Sequence, residues 1–268
     1  MQDYKNANLA LWNEVTPVHA RSDFYDLEGF KRGKSTLRPH ELEEVGDVAG
    51  KSLLHLQCHF GMDTLSWARL GASVTGIDFS DVAINLAQSL GQELGLDARF
   101  VCSNVYDLPA NLSGQFDIVY TGIGAICWLQ DLSRWAEIIA HFLKPGGMFY
   151  IYEGHPFTAM FENERDTQTY RVAYPYFQGP EPLRFEPDGD YAEPDFKGTH
   201  TSYEWIHSLS TIVNSLTHAG LRIESLNEFA HCDWQFFSFM QRGDDGLWRL
   251  PESYVQLPMM FSLKAIKA

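Results

Sequence analysis

The sequence predicts an α/β fold in which helices cover both faces of a mostly parallel β-sheet. Beyond Gly50, short apolar segments typical of strands alternate with segments whose apolar residues recur at helical spacing. This alternation is the pattern of βαβ units, which build parallel sheets. The chain has 268 residues, enough for one large domain with a generous insertion.

The elements follow one another in a regular order up to residue 155. Residues 1–50 are polar and amphipathic and predict a helical segment. Ser80 is a residue type that caps helices, and apolar residues at helical spacing follow it from Ala83 to Leu94. A later helix begins near Leu132 and is predicted to stop at Pro145-Gly146-Gly147. The predicted strands of this region are 52–56, 72–77, 98–102, 116–120 and 148–153, and a helix is also predicted at 63–70.

The regular alternation fails between Pro156 and Gly198. A loop of this length inside a compact domain is uncommon unless it is functional. Its many aromatic residues predict a packed insertion with a short antiparallel excursion. The alternation resumes at Thr201, which has capping-box spacing to Glu204 at the start of a predicted helix. Strands are then expected at 221–229 and 259–266.

Charge and composition narrow the possible partners. The net charge is -15, and a surface this acidic repels phosphate backbones, so nucleic acid is not expected as a partner. No apolar run is long enough to span a membrane, and the first residues do not resemble a secretory leader, so we expect a cytoplasmic protein without a membrane partner. The four cysteines are too far apart to indicate a disulfide framework or a zinc site; they are Cys58, Cys102, Cys127 and Cys232.

The first strand-turn-helix unit predicts a nucleotide-type site. A dinucleotide site needs glycine at three spaced positions of this turn, where the chain has Gln57, His59 and Gly61. Two side chains in place of bare backbone argue against NAD or FAD, whereas a ligand without phosphates tolerates them. Asp78 ends the second strand, 17 residues beyond Gly61, where a carboxylate accepts hydrogen bonds from ribose hydroxyls. The alternative for Asp78 is a solvated residue before a helix cap.

Three motifs resemble those of the class I, Rossmann-like S-adenosylmethionine-dependent methyltransferases. They are VTGIDFS at 74–80, FDIVY at 116–120 and LKPGG at 143–147, and the likeness covers roughly residues 50–155. The first motif resembles a bacterial branch that reads LHLQCHFG, here residues 54–61, with His55 in place of the usual acid. The resemblance implies a three-layer fold, a seven-stranded sheet with an antiparallel last strand, S-adenosylmethionine as cofactor, and methyl transfer to a small molecule.

The resemblance also implies where the cofactor is bound. Asn104 stands where the family has an adenine-binding acid, and the backbone N–H of Val105 faces the ring. Trp12 and Tyr25 belong to an N-terminal cover or act simply as hydrophobic anchors. The expected cofactor contacts are His55, Gln57, Cys58, His59, Gly61, Asp78, Phe79, Asn104, Val105, Thr121, Gly122, Ile123, Trp12 and Tyr25.

Candidates for acid–base chemistry follow the fifth strand. His155, with Glu153 beside it, is predicted to take a proton from the acceptor, and His19 is a second candidate. The alternative for His155 is a hydrogen-bonded structural histidine, and for His19 a surface position. The insertion offers a carboxylate clamp or merely solvated charge at Arg165, Arg171 and Arg184, and pocket-lining or packing aromatics at Tyr170, Tyr174, Tyr176 and Phe177. The spacing of His55 and His59 predicts no metal site.

We therefore expect one domain, 1–268, made of a cap (1–50), a cofactor-binding core (51–155), an insertion (156–200) and the rest of the core (201–268). The acceptor pocket is expected between the insertion and the cap, beyond strand five. Two other functions stay open: a non-catalytic S-adenosylmethionine-binding regulator and an NAD(P)-dependent dehydrogenase. The second is disfavoured because the chain has no Tyr-x-x-x-Lys pair. The sequence does not determine the oligomeric state.

Overall fold

The N-terminal segment is helical. A computed structural model describes residues 2–162, 167–187 and 189–268. The first fifty residues form α1 (Gln2–His19), α2 (Leu27–Lys31) and α3 (Pro39–Val45). The Asp26 carboxylate caps α2 by accepting a hydrogen bond from the backbone of Gly29, and Pro39 occupies the first position of α3, where its missing N–H is not needed. No helix of the described ranges is long and apolar enough to cross a membrane.

The α/β alternation follows, largely as predicted. It runs through β1 (Ser52–Leu56), α4 (Met62–Arg69), β2 (Ser73–Asp78), α5 (Asp81–Glu93), β3 (Ala98–Cys102), α6 (Leu108–Asn111), β4 (Phe116–Thr121), α7 (Leu132–Phe142) and β5 (Leu143–Gly154). Ser80 caps α5 as expected, because its hydroxyl accepts a hydrogen bond from Ala83 N at 3.0 Å. The end of α7 differs from the prediction. The chain turns directly into β5 at Leu143, so Pro145-Gly146-Gly147 lies within the strand.

The second half contains the predicted antiparallel excursion and one unpredicted sheet. It comprises β6 (Leu183–Phe185), β7 (Ser202–Glu204), α8 (Leu209–His218), β8 (Leu221–Phe229), β9 (His231–Cys232), β10 (Gln241–Arg242), β11 (Trp248–Arg249) and β12 (Met260–Lys267). β6 pairs antiparallel with β7, whereas β9, β10 and β11 form a small separate sheet. The predicted capping box at Thr201 is wrong. Glu204 lies in β7, and α8 is capped by Ser208, whose hydroxyl accepts from Thr211 N.

The main sheet has seven strands in the order β3-β2-β1-β4-β5-β12-β8. β1 to β5 are parallel, and β12 is antiparallel to both of its neighbours. The strand count and the reversed last strand agree with the sequence-based prediction. Because parallel strands end at one edge, the carboxyl ends of β1, β2, β3 and β4 lie together, which is where open α/β sheets bind ligands.

Side-chain alternation along the strands divides the core into two layers. Leu54 and Leu56 of β1 pack into the layer covered by α7 and α8, which contains Trp135. Leu53 packs on the opposite face, where it meets Trp67 and residues of the C-terminal segment. Strand β1 is therefore buried on both faces, so its carboxyl end is held rigidly beneath the site described below.

Candidate functional site

The turn after β1 has a glycine-type backbone at all three spaced positions. Gln57 and His59 have φ values of 58° and 51°, and Gly61 has a φ of 82°. For a residue with a side chain, this left-handed conformation costs about 1–2 kcal/mol. Strain of this kind persists only where surrounding contacts impose it, and it is concentrated at functional sites.

Contacts from three parts of the fold impose this turn. Gln57 Nε2 donates to the carbonyl of Ala125 at 2.8 Å, beyond the end of β4. The backbone N–H of His59 donates to Asp78 Oδ2 at 2.8 Å, at the end of β2. Gly61 lies so close to the Phe100 ring that an added Cβ would be 2.8 Å from it. The turn is thus locked between neighbouring strand ends.

Asp78 organises the edge between β1 and β2. Besides the bond from His59, its Oδ1 accepts from the backbone N–H of Ser80 at 2.9 Å. The residue is buried, and burial raises the pKa of its carboxyl to about 6, an effect opposed by these N–H donors. The group is mostly ionised at pH 7. The backbone N–H of Phe79 is a third donor to this carboxylate, so one of its four lone-pair positions remains for a ligand. The alternative for Asp78, a solvated residue before a helix cap, is excluded by its burial.

Two buried polar atoms near this turn lack a partner within the described ranges. They are Gln57 Oε1 and Thr121 Oγ1. Thr121 pairs in the sheet with Leu56, the residue that precedes Gln57, so both atoms belong to adjoining strand ends. A buried polar group without a hydrogen bond costs about 1–3 kcal/mol, which a ligand's polar groups would offset.

Of the other predicted residues of the first motif, His55 and Cys58 are buried and His59 is partly buried, and all three are uncharged at pH 7. His55 Nδ1 lies 2.8 Å from Thr64 Oγ1, and burial lowers the pKa of the ring to about 3, so it is neutral at pH 7. Burial raises the pKa of the Cys58 thiol. Burial likewise lowers the pKa of His59. The edge therefore presents neutral rings and a thiol around the Asp78 carboxylate.

The segments after β3 and β4 lie at the same edge. Asn104 Oδ1 accepts from Tyr106 N at 3.0 Å and thereby caps a short helical turn that begins at the buried Val105. This bond leaves one lone pair on the Asn104 amide oxygen. After β4, Gly122 is buried, whereas 39% of Ile123 is exposed. Phe79, which follows Asp78, is partly buried.

Helix α1 covers this edge. Its Asn13 donates to Asp81 Oδ1 at 2.9 Å and accepts from the Ser80 hydroxyl at 2.6 Å. Trp12 packs edge-to-face on the His59 ring with centroids 5.0 Å apart. Tyr25, just beyond α1, lies 5.5 Å from the same ring. Trp12 and Tyr25 are thus both anchors and part of a cover over the β1 turn.

The same helix is joined to the insertion. Asn8 and Tyr203 of β7, just beyond the insertion, exchange two hydrogen bonds of 2.8 and 2.9 Å between the amide side chain and the backbone. The Glu14 carboxylate accepts from Thr199 N at 3.0 Å. Helix α1 therefore bridges the strand ends and the insertion.

A cavity of about 340 Å³ lies between α1 and the insertion. A cavity thus exists between the cap and the insertion, and its role as the acceptor pocket stays a prediction. Its walls are Leu11, Trp12, Val15, His19, Trp128, Phe185, Glu186, Pro187, Gly189, Asp190, Tyr191, Phe196, Gly198, His200, Ser202 and Glu204. A second cavity of about 200 Å³ lies beyond β5, and His155 and Glu153 line this one instead. We call these the first and the second cavity.

The geometry does not support the predicted catalytic role of Glu153. Its Oε1 accepts from the backbone N–H groups of Gly124 and Gly154, each at 2.7 Å. Its Oε2 accepts from Ala125 at 2.8 Å and Ile126 at 3.2 Å. Four donors fill all four lone-pair positions of a carboxylate, so Glu153 holds the loop after β4 and has no capacity for a further proton donor.

His155 is also engaged on both sides of its ring. Nδ1 accepts from Phe157 N at 3.1 Å, so the proton of the neutral ring is on Nε2, which lies 2.9 Å from Glu228 Oε1. Burial is the main cause that lowers the pKa of His155, and Glu228 opposes it. No lone pair remains for a substrate proton. The structural alternative for His155 is therefore favoured over the predicted general base.

The remaining candidate site residues from the sequence are placed in different surroundings by the structure. His19 is buried rather than on the surface; it lines the first cavity, and its Nε2 lies 3.0 Å from Asp190 Oδ1. Arg171 pairs with Glu162, and Arg184 with Glu186, which agrees with the solvated-charge alternative. Arg165 lies outside the described residues. The four insertion aromatics singled out in the sequence line neither cavity; they are Tyr170, Tyr174, Tyr176 and Phe177.

Sequence reasoning missed Glu204. This residue of β7 lines both cavities, and burial raises the pKa of its carboxyl to about 7. Its oxygen Oε1 accepts from the Ser202 hydroxyl at 3.1 Å. The capping-box spacing concealed it, because local sequence assigned the side chain to a helix end. No group of three His, Cys, Asp or Glu side chains suited to a metal ion occurs in the described ranges.

Comparisons with known proteins indicate a methyltransferase domain in this chain. Residues 54–151 match the family model described as a methyltransferase domain. A ubiquinone biosynthesis O-methyltransferase of Xanthomonas oryzae is 31% identical over 131 residues, which are 48% of this chain and 54% of the relative. The corresponding protein of Escherichia fergusonii is 31% identical over 130 residues, 47% of this chain and 54% of that protein. The chain thus matches about half the length of these curated relatives.

Solved structures resemble the fold over most of the chain. An S-adenosylmethionine-dependent methyltransferase from Mesorhizobium loti aligns with a TM-score of 0.62 at 20% identity, covering 88% of this chain and 100% of that one. One from Clostridium acetobutylicum aligns with a TM-score of 0.57 at 14% identity, covering 95% and 96%. At these identities the likeness concerns the fold.

Proposed function

We propose that this chain, whose residues 54–151 match a methyltransferase domain model, transfers a methyl group from S-adenosylmethionine to a small-molecule acceptor. One observation carries the proposal. The turn at 57–61 keeps a glycine-type backbone although two of its residues carry side chains, and the turn closes on the Asp78 carboxylate. This arrangement suits a ribose without a pyrophosphate beside it.

The residues of the edge fit the cofactor. We assign Asp78 to the ribose hydroxyls, and Asn104 with Val105 to the adenine. The unpartnered Gln57 Oε1 and Thr121 Oγ1 suit the ammonium and carboxylate of the amino-acid end. The other contacts in this proposal are His55, Cys58, His59, Gly61, Phe79, Gly122 and Ile123, with Trp12 and Tyr25 as part of the cover.

The work left to the protein is alignment and exclusion of water. The cofactor, when bound, supplies a methyl group that its sulfonium has already activated. The chain must therefore hold the acceptor in line with that group, since correct orientation removes much of the entropic barrier. Helix α1, fixed to both the strand ends and the insertion, is suited to exclude water during this step.

The proposal also covers the domain organisation, the class of acceptor and the cellular location. One domain comprises the cap (1–50), the core (51–155 and 201–268) and the insertion (156–200). The net charge of -15 supports a small molecule rather than nucleic acid as acceptor. The four cysteines are free, as expected in a reducing compartment, and a cytoplasmic location is part of the proposal.

Calorimetry with S-adenosylhomocysteine and NADH tests the proposal. We expect S-adenosylhomocysteine to bind and NADH not to, because the side chains at Gln57 and His59 occupy the turn where a pyrophosphate needs bare backbone. Preferential binding of NADH would support the dehydrogenase alternative and overturn the proposal. Methyl transfer to any acceptor separates an enzyme from a non-catalytic cofactor-binding regulator.

A further inference from the structure

The first cavity combines aromatic walls with negative charge. Rings of Trp12 and Trp128 meet edge-to-face with centroids 5.3 Å apart. No lysine or arginine of the described ranges lines the cavity, whereas three acids do. The aromatic walls are Trp12, Trp128, Phe185, Tyr191 and Phe196, and the acids are Glu186, Asp190 and Glu204.

One of these acids has no cationic partner among the described residues. Asp190 is paired with His19, and Glu186 with Arg184. Glu204 accepts only from a neutral hydroxyl, that of Ser202. A carboxylate in a largely enclosed position is costly unless a positive charge accompanies it. Among the acids of the first cavity, Glu204 is therefore the one best suited to pair with a cationic ligand.

Glu204 also lies beside the predicted methyl-transfer edge. The next residue, Trp205, donates from its backbone N–H to the carbonyl of Cys127 at 2.8 Å. Cys127 belongs to the loop after β4, and Trp128 in the same loop donates from Nε1 to Gly124 O at 2.7 Å. The acid is thus held against the loop that follows the proposed amino-acid end of the cofactor site.

We infer that the first cavity binds the methyl acceptor and that this acceptor is a small amine, whose protonated nitrogen lies between the aromatic rings and Glu204. The inference rests on the proposed function and specifies its substrate class. Aromatic faces attract cations through their quadrupole, and the attraction grows when water is excluded. An acceptor that reacts as an anion would instead meet repulsion from Glu204.

The Glu204 carboxylate also provides the proton acceptor that methylation of an ammonium group requires. The ammonium R–NH₃⁺ gives one proton to Glu204, which becomes neutral. The freed electron pair on nitrogen forms the new bond to the methyl carbon, while the bond from that carbon to sulfur breaks and its electron pair stays on sulfur. The products are R–NH₂CH₃⁺, a neutral thioether and a protonated carboxyl, so the total charge is conserved. A carboxyl whose pKa is about 7 suits this proton transfer near neutral pH.

Two probes of equal shape test the inference on the full chain. Choline and 3,3-dimethylbutan-1-ol differ only in a charged nitrogen or a neutral carbon. Their affinities are measured by calorimetry on protein saturated with S-adenosylhomocysteine. We expect choline to bind about tenfold more tightly than the alcohol. Equal affinities, or no binding of choline, would overturn the inference while leaving the proposed function intact. A chain that does not bind S-adenosylhomocysteine at all would contradict the proposed function first.

The variant Glu204→Gln tests whether this carboxylate causes the preference for choline over the alcohol. It keeps the shape of the side chain and removes the charge, so choline affinity should fall about tenfold and affinity for the alcohol should not change. The control is Glu137→Gln, an exposed acid on α7 that lines neither cavity. Unchanged choline affinity in a folded Glu204→Gln protein would overturn the assignment. The comparison of the two probes on the unaltered protein does not depend on any variant.

Discussion

The backbone N–H of His59 donates a hydrogen bond of 2.8 Å to the carboxylate of Asp78. This contact joins the turn after β1 to the end of β2 and holds His59 in a left-handed conformation. The acid proposed to bind the ribose therefore also shapes the turn on which the rest of the cofactor would lie. Binding and local structure are coupled at this residue.

Asp78→Asn separates the two roles of this residue. The amide keeps one acceptor oxygen but loses the charge, so we expect binding of S-adenosylhomocysteine to weaken by about 2 kcal/mol, as for a lost hydrogen bond to a charged group. Calorimetry measures this affinity. Asp78→Ala should in addition lower the unfolding temperature, because it strands the buried N–H groups of His59 and Ser80. The matched control is Asp97→Asn at an exposed position, and equal affinities in the two variants would refute the assignment.

Gln57 offers a test of backbone strain. Alanine and glycine both remove the side chain, but only glycine is free of the left-handed penalty, so Gln57→Ala should be less stable than Gln57→Gly by about 1 kcal/mol. Urea unfolding measures the difference. Both variants should bind S-adenosylhomocysteine more weakly than the parent, because both lack the buried Oε1. Parent-like affinity would remove Gln57 from the site.

His155→Ala distinguishes a structural from a catalytic histidine. Loss of a general base lowers turnover by about two to four powers of ten. Because both ring nitrogens are engaged, we expect a change in kcat of less than about tenfold, with a lower unfolding free energy. The measurements are steady-state kinetics with an identified acceptor and urea unfolding. A thousandfold loss of kcat in a stable variant would restore the sequence-based prediction.

Glu41 makes stability depend on pH. It is buried, accepts from the Tyr120 hydroxyl at 2.7 Å, and burial raises its pKa from an ordinary value of 4.5 to about 8. Between these values the unfolded chain is ionised at this residue and the folded protein is not. The stabilisation is therefore complete below pH 4.5 and is lost as the pH rises to 8, with a slope of up to about 1.4 kcal/mol per pH unit.

The variant Glu41→Gln removes this titration. Urea unfolding at several pH values should give a shallower decline of the unfolding free energy than in the parent, whatever the offset between the two curves. Glu137→Gln, at an exposed position, should keep the parent's slope. Parallel curves for Glu41→Gln and the parent would mean that Glu41 is ionised in the folded protein.

Much of the candidate site could be predicted because it depends on short segments. Asp78 and Gly61 lie at strand and helix ends that apolar periodicity locates within a residue or two. Glu153 and His155 were also located correctly along the chain, at the end of β5. The sequence did not show whether these side chains are free to accept a proton. Backbone N–H groups 27 to 29 residues away occupy lone pairs of the Glu153 carboxylate, and His155 faces β8.

The sequence by itself determined the seven strands of the main sheet in their order along the chain and the edge at which the motifs meet. It also determined which positions of the first turn lack the usual glycine. These follow from local patterns, because the spacing of apolar side chains reports which face of each element is buried. Only the tertiary structure decided that Gln57 and His59 adopt the glycine-type backbone, that α1 covers them, and that Glu204 faces a cavity. Each of these depends on contacts between segments far apart in the chain, and such contacts arise from packing rather than from the residues beside them in sequence.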